Sequence, residues 1–376
     1  MDILIVDDSL IARRVLTQVF AEATDLTVVA TASNGREALE YLETSEADLL
    51  ILDVNMPVMD GIEVLQSLED RQLEIGVIMF STQTRQGAPK TITALLSGAD
   101  AYVTKPSGSE EGIDEKIDVL RDRLIPKARA VCESIAECQS IDERISARLE
   151  TQNEPRAEIA LDETRSEREL QGREVSVSGP IEAVGMAVST GGPAALLRLL
   201  SDVPADFPVP MFIVQHMPPG FTQKLASRLD GKLDLPIREA RDGEVAESGT
   251  IWIAPGDRHM TVARRQGQII VETSEEPEIY SCRPAADALF KSLAETFGDH
   301  LVAVVLTGMG RDGFDGSAHV RNRGGAVLVQ DRETSVVWGM PRRPVEAGIA
   351  DAIRSIDEMG STLSHLVRES RDRNDQ

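Results

Sequence analysis

The 376-residue chain has few cysteines, few aromatics, no long apolar run and too little positive charge to balance its acids. Its three cysteines, Cys132, Cys138 and Cys282, are odd in number and follow no metal-ligand spacing. That excludes a disulfide framework or a cysteine-built metal site, and the three read as reduced, incidental thiols. Aromatic residues make up only 3%, although hydrophobic residues reach 41%, enough for globular cores. No stretch approaches the roughly 18 apolar residues that a spanning helix needs, and no basic region precedes the first apolar run. The expectation is a cytoplasmic protein without membrane insertion. Lys and Arg total 39 against 63 Asp and Glu, a formal charge of −24, with lysine scarcer than arginine. This balance argues against nucleic acid or an anionic membrane as a partner, because the phosphate attraction is reversed. The length exceeds one ordinary core and implies two domains with a linker.

What is present begins with alternation. Over residues 1–124, strand-like runs at Ile3–Val6, Thr27–Ala30, Leu49–Leu52, Gly76–Phe80 and Ala101–Thr104 alternate with helical patterns at Leu10–Phe20, Gly35–Leu42 and Gly61–Leu68. Five such strands predict a doubly wound parallel sheet with its site at the carboxyl ends. Asp7 and Asp8 end the first strand, Asp53 the third, Ser81 the fourth and Lys105 the fifth. Three carboxylates crowded on one edge repel unless a cation joins them, and oxygen ligands with room for water suit Mg²⁺. With Lys105 and Ser81 beside them, the pocket suits a phosphoryl group on a carboxylate.

The segments Val6-Asp-Asp-Ser9, Asp53-Val-Asn-Met-Pro-Val-Met-Asp-Gly61 and Thr104-Lys-Pro106 resemble a two-component response-regulator receiver domain. The resemblance implies that Asp53 is the phosphoacceptor and that Asp7 and Asp8 are Mg²⁺ ligands, with the Asn55 carbonyl a third contact. It places Ser81 and Tyr102 at the switch positions, where they move with the phosphoryl group and change a helix-and-strand face.

Residues 125–178 read as a linker. A stripe at Val131, Ile135, Cys138, Ile141, Ile145 and Leu149 has helical spacing, and residues 150–178 are a charged tether without a core of their own. The stripe is either a solvated connecting helix or a docking face.

Residues 179–360 alternate again, with strand-like runs at Ala183–Val188, Met211–Val214, Thr250–Ile253, Leu301–Leu306 and Ala326–Val329, helical patterns at Ala194–Leu200 and Ala285–Phe297, and a hairpin turning at Gln266-Gly267. Residues 361–376 read as a polar tail. The run Val184–Pro193 ends a buried strand at Ser189, then breaks into two glycines and a proline set to start a helix. Such a turn presents a hydroxyl beside free N–H groups. If Ser189 is a nucleophile it needs a base and an orienting acid. Only His216 and His259 closely follow strands, and spacing alone does not separate them. Gly308-x-Gly310-x-x-Gly313 is formally a dinucleotide fingerprint, with Asp331 where a ribose-binding acid would lie. Asp312, however, would put a carboxylate where a pyrophosphate belongs; as the acid serving Ser189 it explains more.

The stretches Ser189-Thr-Gly-Gly-Pro193, Gln215-His-Met-Pro-Pro-Gly-Phe221, Ala254-Pro-Gly-Asp257, Leu306-Thr-Gly-Met-Gly310 with Asp312-Gly313, and Ser335-Val-Val-Trp-Gly-Met-Pro341 resemble the chemotaxis protein-glutamate methylesterases, the CheB family. One departure is Ala187-Val188, where that family usually has Gly-Ala. The resemblance implies Ser189 as nucleophile, His216 as base, Asp312 as orienting acid, and Thr190 with the Met309 N–H at the oxyanion. It implies ester hydrolysis, with possible deamidation of receptor glutamines, on chemoreceptor cytoplasmic helices, needing no cofactor at the esterase site. It also implies a histidine kinase as phosphodonor, and a receiver that covers the catalytic mouth until phosphorylated. The alternative is a catalytically silent phosphoacceptor module competing for the histidine kinase. The expected architecture is α/β: a (βα)5 receiver and a Rossmann-like esterase domain, both doubly wound parallel sheets, joined by a charged, partly helical linker.

Overall fold

In the computed structural model of the chain, residues 1–73, 75–82, 87–106, 113–150, 170–171, 173–175, 177 and 179–374 are described. They form two compact units, Met1–Gln152 and Asn153–Gln376. The first unit carries strands β1 (Asp2–Val6), β2 (Thr27–Ala32), β3 (Leu49–Asp53), β4 (Gly76–Thr82) and β5 (Ala101–Lys105). They pair in parallel in the order β2-β1-β3-β4-β5. The chain order reverses between β1 and β3, so their carboxyl ends open the crevice where such sheets bind ligands. Every residue of β3 is buried, as expected of a strand covered on both faces. The helix Gly61–Asp70 that follows it is fixed by a capping box, in which the Asp60 side chain accepts from the Glu63 N–H and Glu63 reaches back to the Asp60 N–H.

The spacer stripe proves to start inside this unit. A single helix runs from Ile113 to Glu150 with Pro126 inside it. Ile117, Leu120, Leu124, Ala128 and Val131 are buried at helical spacing. Val131 and Ile135 press so close to Gly76, at the start of β4, that a Cβ there would lie 2.7 and 2.9 Å from their methyl groups. A boundary at 124 therefore falls inside a continuous helix, because the same apolar face continues past it. The side chains of Cys138, Ile141, Ile145 and Leu149, and the tether at 151–169, lie outside the described residues.

The second unit holds β6 (Ala183–Val188), β7 (Met211–Gln215), β8 (Ile237–Glu239), β9 (Ile251–Ile253), β10 (His259–Arg265), β11 (Gln268–Ser274), β12 (Leu301–Val305), β13 (Ala326–Gln330) and β14 (Ala352–Arg354). Seven pair in parallel as β14-β13-β12-β6-β7-β9-β8. The chain starts at β6, runs outward through β7, and returns to lay β12 on the other side of β6. The reversal between β6 and β12 puts the ends of these strands, and of neighbouring β7, around one crevice. β10 and β11 form the expected hairpin, with Gln266 and Gly267 at φ 51° and 84° as a type I′ turn requires. β8 and β14 were not anticipated: each has three residues, too few to show a period. The tail reading at 361–376 is corrected. A helix spans Ile356–Asn374 and buries Leu363, Leu366, Val367 and Ser370, so one face of the segment is apolar and packed.

Candidate active site and phosphoacceptor site

At the open edge of the first sheet, Asp7 is fully buried and Asp53 nearly so. Lys105 Nζ lies 2.8 Å from Asp7 Oδ2 and 2.9 Å from Asp53 Oδ2. Asp7, exposed Asp8 and Asp53 offer carboxylate oxygens that lie within 4.8 Å of one another. Burial pushes the Asp53 carboxyl up, Lys105 opposes, and Asp7 adds to the rise. Burial lowers the Lys105 ammonium, yet the charges and hydrogen bonds of Asp53 and Asp7 raise it overall. One ammonium among three carboxylates leaves an uncompensated negative pocket of oxygen donors, which fits a hard divalent cation. Asn55 contributes its N–H to Asp53. Ser81 is buried and accepts a 2.8 Å hydrogen bond from the Thr91 hydroxyl. Tyr102, on β5, has its phenol pKa pushed up by burial and packs under Lys127 Nζ at 5.9 Å.

In the second unit β6 ends at Val188, Ser189 follows directly, and the chain turns through Gly191, at φ 77°, into the helix Gly192–Ser201 with Pro193 in its first turn. The turn is pinned from three sides. The Ser189 N–H donates to Thr307 O at 3.0 Å, the Gln215 amide donates to Ser189 O at 2.9 Å, and the Thr307 hydroxyl donates to Thr190 O at 2.9 Å. Thr307 is itself held, its N–H donating to Gln330 Oε1 at 2.8 Å and its hydroxyl accepting from the Val337 N–H at 3.0 Å. A Cβ on Gly192 would lie 2.0 Å from Gln215 Oε1. Gly192→Ala should therefore displace the turn and cut ester hydrolysis by about 100-fold, the usual cost of misplacing a reacting group by ~1 Å. Phosphorylation of the first unit should be unaffected in the same preparation.

The loop after β12 lies against this serine. A Cβ on Gly308 would sit 2.8 Å from Ser189 Cβ, so only glycine permits the approach. The Gly308 N–H is spent on Val337 O at 2.9 Å, whereas no hydrogen bond engages the Met309 N–H among the described residues. Met309 is exposed and Thr190 is buried. The formal dinucleotide glycines thus carry Gly308 onto Ser189 and Asp312 into the interior, where its carboxylate takes the Gly313 N–H that such a loop would offer a pyrophosphate.

His216 follows β7, its backbone N–H donating to Val188 O at 3.2 Å. Its Nε2 is 2.7 Å from Asp312 Oδ2. Asp312 is 2% exposed and also accepts from the N–H groups of Ala286 at 2.6 Å and Asp287 and Gly313 at 3.0 Å. Burial raises the Asp312 carboxyl, but the His216 bond and charge and those N–H groups outweigh it and hold it below the usual range. Burial alone would lower the imidazole; the Asp312 hydrogen bond, helped by Cys282, carries it up to about 9. With Asp312 ionised, the neutral ring keeps its proton on Nε2 and leaves Nδ1 as the basic atom. Among the described residues Ser189 Oγ and the imidazole share no hydrogen bond, a looseness common where substrate is absent. His259 is settled as structural: it is buried, its Nε2 bonded to Pro277 O at 3.1 Å and its Nδ1 accepting from the Ala285 N–H at 3.1 Å. Sequence reasoning missed Cys282, whose Sγ stands 4.0 Å from His216 Nδ1, because nothing near it in the chain marks it.

A buried carboxylate paired with an imidazole, on the same sheet edge as a serine at a strand-to-helix turn, is an arrangement of the hydrolase class, and the first unit has the sheet and acidic edge of a receiver. Comparison with known proteins agrees. Residues 184–363 match the family model described as CheB methylesterase, and residues 3–117 the response regulator receiver domain. A protein-glutamate methylesterase/protein-glutamine glutaminase of Trichodesmium erythraeum is 40% identical over 97% of this chain and 98% of its own. A second, from Caulobacter vibrioides, is 40% identical over 98% of this chain and 99% of its own. The crystal structure of the Thermotoga maritima CheB methylesterase catalytic domain is 41% identical, covering 51% of this chain and all of that one, at a TM-score of 0.49. The chain belongs to the CheB family of receiver-linked methylesterases. No helix among the described residues is long and apolar enough to cross a membrane.

Proposed function

We propose that the chain is a phosphorylation-activated protein-glutamate methylesterase, acting in the cytoplasm on glutamate γ-methyl esters of chemoreceptor helices, with glutamine amides as second substrates. The His216–Asp312 pair at 2.7 Å, at the sheet edge where Ser189 stands, carries this reading. His216 Nδ1 takes the Ser189 Oγ proton as the oxygen attacks the ester carbonyl carbon. Asp312 holds the ring by Nε2–H and favours the imidazolium that forms. The oxyanion develops toward the Met309 N–H and Thr190; one such donor is worth about 3 kcal/mol. The imidazolium returns its proton to the departing methoxide, which leaves as methanol. Water, deprotonated by His216, then cleaves the acyl-serine to the glutamate carboxylate and regenerates Ser189. A glutamine amide runs the same course and releases ammonia. The expectation of a silent phosphoacceptor gives no account of the buried pair.

In the receiver, Asp53 attacks a phosphohistidine of a histidine kinase, or a small acyl phosphate, and becomes the aspartyl phosphate. Asp7, Asp8, Asp53 and the Asn55 carbonyl would hold Mg²⁺, which when bound offsets the charge of the transferring phosphoryl group. Lys105 pairs with a phosphoryl oxygen, and Ser81 turns to another, which requires it to give up Thr91. Tyr102 moves with Ser81. Acetyl phosphate with Mg²⁺ should raise methanol release from methylated receptor by about tenfold, a shift of only ~1.4 kcal/mol in the active population. Asp53→Asn should remove the response while keeping the basal rate. Equal rates with and without acetyl phosphate would overturn the regulatory reading.

A further inference from the structure

Asp312 and Asp287 cap each other's helices. Asp312 precedes the helix Phe314–Asn322, yet accepts from Ala286 and Asp287, the first two N–H groups of the helix Ala286–Phe297. The N-cap of that helix, Ala285, has no side-chain oxygen to offer. Asp287 returns the exchange, accepting from the Gly316 N–H at 2.6 Å in the first turn of Phe314–Asn322, whose own N-cap is Gly313. Two helix N-termini are thereby satisfied by carboxyls from the other element. The arrangement also buries two acids side by side, Asp312 at 2% and Asp287 at 8% exposure.

They are not equivalent. Three N–H groups and the His216 ring surround Asp312. Asp287 has the Gly316 N–H on Oδ1, while its Oδ2 is buried without a hydrogen-bond partner. The charged groups facing Asp287 are Asp312, and Asp315 from the first turn of Phe314–Asn322. Arg311 and the Tyr280 hydroxyl both bind Asp315, and beyond Asp312 lies His216. Adjacent buried carboxylates do not both ionise easily, so Asp312, with more hydrogen-bond donors and the imidazole beside it, takes the charge first and Asp287 holds its proton longer.

We propose that Asp287 is a positioning residue for the base: un-ionised it caps its neighbour without disturbing Asp312, and ionised it tightens the hold of the carboxyl pair on the His216 proton. Burial first, then the charges of Asp312 and Asp315, push the Asp287 carboxyl up to about 7. Its charge therefore appears across neutral pH, below the range in which His216 deprotonates. The proposal rests on His216 being the base of the ester hydrolysis assigned above.

Asp287→Asn keeps an oxygen for the Gly316 N–H and removes the charge. In the full chain it should move the acid limb of the kcat/KM profile for methyl-ester hydrolysis down by about one pH unit. A capping role alone would lower the melting temperature and leave that midpoint in place, so an unmoved midpoint overturns the proposal. Should the variant not fold, the NMR titration of the His216 ring in the wild-type chain decides: two inflections are expected, and a single one refutes it. That titration is read without turnover, so a chain that hydrolyses no ester would defeat the functional assignment and still report on Asp287.

Discussion

Ser189→Ala is expected to lower kcat for methanol release from methylated receptor by on the order of 10⁵-fold, leaving a residue of rate that comes from binding and oxyanion contacts alone. The size follows from the site's construction. Gln215, Thr307 and Gly308 fix the position of the Ser189 backbone from three directions, so removing Oγ leaves the rest of the constellation in place with nothing to acylate. The small change in volume at a half-buried position should leave the melting temperature within about 1 °C. Receiver phosphorylation, followed by incorporation of label from acetyl phosphate, should be normal. A variant that still releases methanol at the wild-type rate would remove Ser189 from the chemistry altogether.

Asp312→Asn should cost about 10⁴-fold in kcat, because the amide offers Nε2 the wrong polarity and ceases to favour the imidazolium. It should also change the pH dependence. In the wild-type chain the imidazole lies at about 9, well above its ordinary 6.5, so kcat/KM should keep rising through mildly alkaline pH as Nδ1 becomes free to accept a proton. In the variant, burial is no longer opposed by the carboxylate, and the inflection should drop below 7. Stability runs the other way. A base whose folded pKa is raised contributes stability fully below the unfolded value near 6.5, and that contribution fades as pH climbs through about 9. The pH range in which His216 would become free to act as the proposed base is therefore the range in which it stops supporting the fold. Profiles of rate and of melting temperature against pH, taken on the same protein, should show opposite slopes between about 7 and 9. A variant and wild type with the same inflection would refute the role of Asp312.

The sheets were legible because buried parallel strands are written as continuous apolar runs. LLILD in β3 and AVGMAV in β6 announce themselves without any neighbour. The residues at the strand ends were legible for a related reason: a single Asp, Ser or His closing such a run must face its sheet's edge, which places Asp7 with Asp53 in the first unit and Ser189 with His216 in the second. What escaped lay off the strands. Cys282 reaches His216 from the turn before the helix Ala286–Phe297, and Asp287 reaches Asp312 from that helix's first turn, where neither spacing nor polarity in the local sequence marks a partner. His259 and His216 looked alike as strand-edge residues until each ring nitrogen was assigned a partner. The segment after 360 was misread because its apolar positions, Leu363, Leu366 and Val367, are diluted by serines and charges in a helix that needs only one narrow buried stripe.

The helix Ile113–Glu150 bears on what counts as one domain here. Ala128, Val131 and Cys132 are buried within the first unit, and Gly76 has no side chain because Val131 and Ile135 occupy its space. The smallest stretch of chain with a complete receiver core is thus longer than the alternation of five strands implies. A fragment cut at Leu124 would bare the floor of β4 and lose the Arg129–Asp25 clasp at 2.7 Å. The helix as far as Ile135 and the receiver sheet pack as one unit, so length added or removed between the two activities should be tolerated only beyond Ile135.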